Sequence, residues 1–274
     1  MEEKVINKEM GTIVFDGFLD SLIRFKEMDI QQAIDFEKWN EISITHHSTA
    51  MEGSSLTIDE SRLLLSENIT AKGKPLSHHN MVVDHHDALL KTLAYAGQKE
   101  KITPELLKNI SASVMKNTGG VVNTIAGSFD TSKGDFRLAM VYVGERYFMD
   151  YQKIPDAVKK LCDEITAEID QLQSVKEIYD MAFDAHFSLV SIHPFGDGNG
   201  RVSRLLMNYV LAYHKQPLAL IFAEDKVDYI KALEDSRNQE SYVSFRNFMY
   251  SQQTKFYEQE IQKINRETKW SFKI

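Results

Sequence analysis

Twelve consecutive residues from His193 to Arg204, HPFGDGNGRVSR, bring together the groups that phosphate chemistry needs. Gly196, Gly198 and Gly200 allow the backbone to approach a ligand closely just before a helix expected to begin at about Arg201. Backbone N–H groups and the helix dipole at such an N-terminus favour an anion. Arg201 and Arg204 are three residues apart, so both can project from the first turn toward one ligand and form charge-assisted, bidentate bonds. Two cations at a helix N-terminus oppose the dipole, and without an anion to offset that cost the placement is locally unfavourable.

Asp197 is the nearby carboxylate suited to Mg²⁺, which takes one or two carboxylates together with phosphate oxygens and waters. His193 carries an imidazole whose ordinary pKa of about 6.5 suits a general base near neutrality. The expected chemistry is removal of a proton from an incoming hydroxyl by His193. The arginines, the loop N–H groups and Mg²⁺ would stabilise charge on the phosphates. A structural glycine turn with a packed histidine and solvated arginines would explain an isolated glycine run. It explains less well a base, a carboxylate, Asn199, three glycines and two arginines within twelve residues. A P-loop is excluded, because no Lys followed by Ser or Thr comes after the glycines and no strand precedes them.

The elements around this loop read as helices. Ile178, Met181, Ala182, Ala185, Leu189 and Ile192 recur at helical spacing over Lys176 to Ile192, and VSRLLMNYVLAYH continues as a second apolar helix. A helix is expected from about Ile30 to Met51, with Ala33, Phe36, Trp39, Ile42 and Ile44 on its apolar faces and Gly53 as terminator. Thr57 to Glu60 reads as a capping box. After the loop AKGKP come helices over about Ser77 to Ala96 and from Thr103 and Pro104 to Gly119 and Gly120. Further helices are expected over Ile154 to Leu172 and, as a pair, over Lys226 to Asn265. The segment GDFRLAMVYVGERYFMD, with β-branched and aromatic residues around Gly144, is the one strand region expected, a short hairpin among helices.

Bulk composition bounds the partners. The chain has 274 residues, 32 Lys plus Arg and 40 Asp plus Glu, a formal charge of -8, which argues against generalised nucleic-acid binding. The single cysteine, Cys162, cannot form an intramolecular disulfide or a cysteine-based metal cluster and suits a reducing compartment, so a cytoplasmic location is expected. MEEKVINKEM lacks the apolar core of a secretory signal, and no stretch stays apolar long enough to span a bilayer. The expectation is a soluble protein that engages neither membrane nor nucleic acid. No composition shift marks a linker, so one compact unit is expected.

At every position HPFGDGNGRVSR resembles the signature of Fic-domain proteins, HPFx(D/E)GNGRxxR. The resemblance implies a mainly α, Fic-like helical domain with a small β-hairpin flap, and AMP transfer from MgATP to a Ser, Thr or Tyr hydroxyl of a target protein. Self-modification and a homodimer are both compatible with it. It makes His193 the base, Asp197 the metal ligand, and Gly196, Gly198, Asn199 and Gly200 parts of the anion-binding loop, with Arg201 and Arg204 on the β- and γ-phosphates. Glycine at position 200, where Doc-like kinases of the superfamily carry lysine, favours nucleotidyl transfer over phosphorylation. Gly134 and Arg137 of GDFR, then Val141 and Val143 of MVYVG, resemble the flap that clamps a target segment by strand pairing. The family often continues into a Pro-Pro pair there, whereas this chain reads Phe148, Met149. Tyr229 falls where related proteins place an aromatic residue near the adenine, although a core tyrosine fits equally well.

Ser48 and Glu52 are four apart and share a helix face, which alone would suit a solvated polar pair. Glu52 lies near a helix C-terminus, where negative charge is disfavoured, so a cationic partner makes sense of it, and Arg204 is the candidate. STAMEG, from Ser48 to Gly53, also resembles the inhibitory motif (S/T)xxxE(G/N) of Fic proteins whose inhibitory helix is N-terminal to the core. That resemblance implies that Glu52 pairs with Arg204 and blocks placement of the γ-phosphate. The resulting organisation is an N-terminal helical segment over 1–80, a core with flap and catalytic loop over 81–215, and C-terminal helices over 216–274. The paired histidines at 46 and 47, 78 and 79, and 85 and 86 face different ways on a helix and are expected to pack or lie at the surface. Alternatives to an autoinhibited transferase are a phosphodiesterase removing AMP from a modified protein, with Glu52 positioning water, and a nucleotide-responsive interaction module.

Overall fold

A computed structural model describes residues 2–28, 36–143 and 146–271. The fold is mainly α. Among the described residues ten α-helices and four short strands run in the order α1 Glu2–Glu27, α2 Phe36–Ala50, α3 Ile58–Glu67, α4 Leu76–Gly97, α5 Pro104–Val114, β1 Val121–Thr124, β2 Gly127–Asp130, β3 Tyr142–Val143, β4 Arg146–Tyr147, α6 Ile154–Glu168, α7 Val175–Ile192, α8 Asn199–Tyr213, α9 Lys226–Asn238 and α10 Val243–Ser271. The contacts divide the chain into two compact units, one built from Met1–Glu41 with Leu220–Ile274 and the other from Ile42–Ala219. The first unit joins the two ends of the sequence, which a division into consecutive segments does not anticipate.

In the second unit α8 packs against α7, α4 and α5. Its apolar residues Val202, Leu205, Leu206, Val210 and Leu211 are fully buried, as are Leu89 on α4, Leu107 and Ile110 on α5 and Leu189 on α7. A helix covered on every side must be apolar all round, yet α8 also buries Arg201, Arg204 and Asn208. Those polar residues therefore need specific partners. The capping box of α3 forms as expected, with Thr57 Oγ1 accepting from Glu60 N and the Glu60 carboxylate accepting from Thr57 N. Thr103 likewise caps α5, with Pro104 at its start.

Two expectations are corrected here. Helix α5 ends at Val114 and not at the Gly119–Gly120 pair. A Cβ at Gly119 would lie 2.7 Å from both Met115 O and Ser132 N, so this glycine serves close packing after the helix has ended. The expected hairpin forms, with Tyr142 opposite Tyr147 and Val143 opposite Arg146, while Gly144 lies outside the described residues. A second antiparallel hairpin, β1 with β2, precedes it, pairing Val121 with Asp130 and Thr124 with Gly127. Of the helix expected from Ile30, the part before Phe36 also lies outside the described residues.

In the first unit α10 packs against α1 and α9. Its core is aromatic, with Phe18, Phe25, Tyr250, Phe256 and Tyr257 in mutual ring contact and Phe245 and Met249 buried beside them on α10. No helix among the described residues is long and apolar enough to cross a membrane.

Candidate active site

The motif is held between two helices whose ends are set locally. A second capping box starts α7, where Ser174 Oγ accepts from Glu177 N and the Glu177 carboxylate accepts from Ser174 N at 2.9 Å. The helix stops at His193, whose φ of 54° is left-handed. That conformation costs a non-glycine residue roughly 1–2 kcal/mol and persists only where its surroundings enforce it. Here the His193 N–H donates to Leu189 O at 3.0 Å, and its carbonyl accepts from Arg137 Nε at 2.8 Å. The next carbonyl, Pro194 O, accepts from Arg137 N at 2.9 Å.

Arg137 was expected on the target-docking face of the flap, but it is only 1% exposed. Burial pushes its pKa down, opposed by the charge of Asp150. Three carbonyls satisfy the guanidinium: His193 O, Ala139 O, and Met149 O at 2.5 Å. Ala139 and Met149 bracket the hairpin β3–β4, so one planar fork ties both roots of the flap to the backbone of the candidate base. Gly134 has a φ of 73° and packs against the backbone of Lys108 on α5. Val141 O accepts from Phe148 N at 3.0 Å and closes the hairpin, and Val143 pairs with Arg146 through the backbone.

Within the loop the side chain of Asn199 is fully engaged, with Oδ1 accepting from Phe195 N at 2.9 Å and Nδ2 donating to Phe195 O at 2.8 Å. What Asn199 can offer an anion is therefore its backbone N–H, in the first turn of α8 where N–H groups lack intrahelical acceptors. Gly196 is required by packing, because a Cβ there would stand 2.6 Å from the Phe129 ring of β2. Gly198 caps α8 with a φ of 80°.

Arg201 carries the clearest signal of a ligand. It is 2% exposed, and its Nη2 contacts only Met115 Sδ at 3.3 Å and Asp197 Oδ1 at 3.4 Å. Its Nε and Nη1 are buried with no partner among the described residues. Burial lowers its pKa, offset in part by Asp197 and Glu52, but a guanidinium stays charged at neutral pH. A buried cation with unsatisfied donors costs several kcal/mol unless an anion completes it. Asp197 is 66% exposed, and its Oδ1 accepts from Gly198 N at 2.5 Å. Its carboxylate thus stands at the solvent edge of the loop, as a single protein ligand to a hydrated cation would. Among the described residues no group of three or more His, Cys, Asp or Glu side chains could hold a metal without other ligands.

Arg204 is held by protein partners at two of its nitrogens. Nε donates to Ser48 Oγ at 2.7 Å, and Nη2 donates to Ser48 O at 3.0 Å and to Glu52 Oε1 at 2.6 Å. Ser48 lies on α2, and Glu52 and Gly53, φ 99°, lie in the turn after it. A Cβ at Gly200 would stand 2.6 Å from Glu52 Oε1, so the bare glycine is what lets the carboxylate rest on the loop.

Residues not singled out from the sequence complete the frame. Asp84, fully buried on α4, accepts from Asn117 N at 2.7 Å and from Asn117 Nδ2 at 2.6 Å. This anchors the segment after α5 from which Met115 meets Arg201 and Gly198. An acid on the apolar stripe of Val82, His85, Ala88 and Leu89 was its sequence signal. Burial first, then the charges of Arg204 and Arg201, keep fully buried His85 neutral. Tyr229 is a core residue of the first unit, its ring against Phe245 and Phe248.

Comparison with known proteins finds similar sequences and folds. The protein adenylyltransferase fic-1 of Caenorhabditis elegans is 29% identical over 196 residues, 69% of this chain and 35% of that protein. The chain thus spans about a third of the length of this curated relative. Residues 134–508 of Fic-1 from Caenorhabditis elegans share the fold with a TM-score of 0.73 at 20% identity, covering 96% of this chain and 74% of that one. A Fic domain containing signaling protein from Bacteroides thetaiotaomicron gives a TM-score of 0.72 at 21% identity, covering 92% and 97%. Residues 101–211 of the chain match the Fic/DOC family.

Proposed function

We propose that the chain is an autoinhibited protein adenylyltransferase that moves AMP from MgATP to a Ser, Thr or Tyr hydroxyl of a target protein. The observation that carries this reading is Arg201, a buried guanidinium with two orphan donors beside the N-terminus of α8. A polyphosphate supplies the charge and the acceptors that such a group lacks. The name of the relative, protein adenylyltransferase, supports the same assignment.

In the proposed reaction the target hydroxyl oxygen attacks the α-phosphorus of ATP and the bond to pyrophosphate breaks. The hydroxyl proton passes to the His193 imidazole. Arg201 and the first-turn N–H groups of α8 hold the phosphate chain in place, and Arg204 would join them once released. Asp197 is the residue that would hold Mg²⁺, whose contribution when bound is to neutralise phosphate charge. With Arg204 held by Ser48 and Glu52, the γ-phosphate loses one of its cations, which is the basis of the inhibition. The acceptor protein includes a second copy of this chain, and a reducing cytoplasmic setting suits the lone, buried Cys162.

The reverse reaction draws on the same placement, because the Glu52 carboxylate rests on Gly200 where it could position a water for attack on an AMP-modified side chain. The test is α-labelled ATP incubated with lysate and the wild-type protein, the Glu52→Gly variant, and that variant with His193→Ala added. Label should appear with the first substitution and vanish with the second. Release of AMP from purified modified protein, dependent on Glu52, would favour the reverse activity. Absence of both would leave a nucleotide-responsive interaction module.

A further inference from the structure

Phe148 follows β4 directly, and its ring stacks on the imidazole of His193, with centroids 4.0 Å apart and planes 29° from parallel. The Arg146 guanidinium lies 4.6 Å from the centroid of the same Phe148 ring. Phe148 N donates to Val141 O at 3.0 Å, so its main chain is part of the hairpin closure. The next carbonyl, that of Met149, is gripped by the guanidinium that also binds His193 O. The candidate base is therefore tied to the flap twice, by its main chain through Arg137 and by its ring through Phe148.

The two ties do different things. Arg137 and the Leu189 carbonyl act on the backbone of His193 and not on its side-chain torsions, and the imidazole torsion χ2 is intrinsically broad and shallow. A stacked neighbour restricts that torsion. It does so through the ring face, whereas the lone pair of the accepting imidazole nitrogen lies in the ring plane, so the contact orients the base without occupying its proton-accepting edge.

We infer that Phe148 is a positioning residue that holds the His193 imidazole in its proton-accepting orientation by face-to-face stacking. The inference rests on the transferase reading, and its test separates the two. In full-length, nucleotide-free protein carrying isotope-labelled histidine, the ring protons of His193, assigned by loss of signal in His193→Ala, are expected to resonate upfield through the ring current of Phe148. They should move downfield in Phe148→Ala and Phe148→Leu and stay upfield in Phe148→Tyr. In a Glu52→Gly background, Phe148→Ala and Phe148→Leu should lower kcat roughly tenfold or more, with KM for ATP within about twofold. Phe148→Tyr should restore most of the rate.

His193 resonances that do not respond to Phe148→Leu would overturn the inference whatever the activity. So would a lost ring current with unchanged kcat, or an effect confined to KM. Should Phe148→Ala fail to fold, Phe148→Leu, which keeps most of the volume, decides the matter. If the Glu52→Gly parent transfers nothing while the stack is present, the transferase reading has failed and the positioning role falls with it.

Discussion

Replacing Glu52 by glycine should raise the transfer rate about 30-fold and lower thermal stability, and both effects come from one hydrogen bond. Glu52 Oε1 accepts from Arg204 Nη2 at 2.6 Å, with the arginine side chain 4% exposed and the glutamate 32% exposed. A hydrogen bond to a charged group contributes about 1.5–3 kcal/mol, and the partial solvation of Glu52 places this one near 2 kcal/mol. Arg204 must leave its protein partners before it can serve a phosphate. If only the released population is active, about 2 kcal/mol corresponds to roughly 30-fold in that population. The same energy removed from the native state should lower Tm by about 4–8 °C. Glu52→Gln keeps the shape and a neutral bond, so its gain should be smaller, about fivefold. Initial rates of label transfer from α-labelled ATP, ATP binding by calorimetry and a melting curve on the same samples make the comparison. An unchanged rate in a folded variant that still binds ATP would refute the inhibitory role of Glu52. A faster rate with an unchanged Tm would refute the energy assigned to the bond.

The neighbouring residues give further expectations. Ser48→Ala removes the acceptor of Arg204 Nε while leaving the Ser48 carbonyl to Nη2, so a partial activation of about fivefold is expected, corresponding to about 1 kcal/mol, measured in the same assay. Arg201→Met takes away a buried cation with unpaired donors. Its Tm should stay level or rise while ATP affinity in calorimetry falls roughly 30-fold or more, and a large loss of stability with intact binding would contradict the anion-site assignment. Arg137→Met should cost about 3 kcal/mol or more in denaturant unfolding, because it strips the donor from three backbone carbonyls. Arg137→Lys should recover only part of that loss, since an ammonium lacks the planar fork.

Much of this was legible in the amino-acid order because the relevant signals are local. The caps Thr57 with Glu60 and Thr103 with Pro104 depend on spacings of three residues or fewer, and both form. The loop glycines, Asp197, Arg201 and Arg204 are neighbours in the chain, so their chemistry could be read together. Local electrostatics asked for a cation beside Glu52 and made Arg204 a candidate, and the resemblance of STAMEG to the inhibitory motif implied the pair. The hairpin β1–β2 was not legible, because the stretch VVNTIAGSFD exposes Val121, Val122 and Ile125 and so lacks the alternation that marks a strand with one buried face.

Which partner each polar group takes was decided by packing. Asn199 spends its side chain on the Phe195 backbone and Gly196 makes room for Phe129, so neither role could be told from phosphate binding by residue type. Arg137 lies beneath the flap because three carbonyls converge on it from Ala139, Met149 and His193. Phe148 reaches the His193 ring across 45 positions of sequence. Chain order states which groups are available and which of them are locally unfavourable. The compensation of a buried charge or a strained backbone comes from residues distant in sequence, and only the folded chain brings those within a hydrogen bond's length.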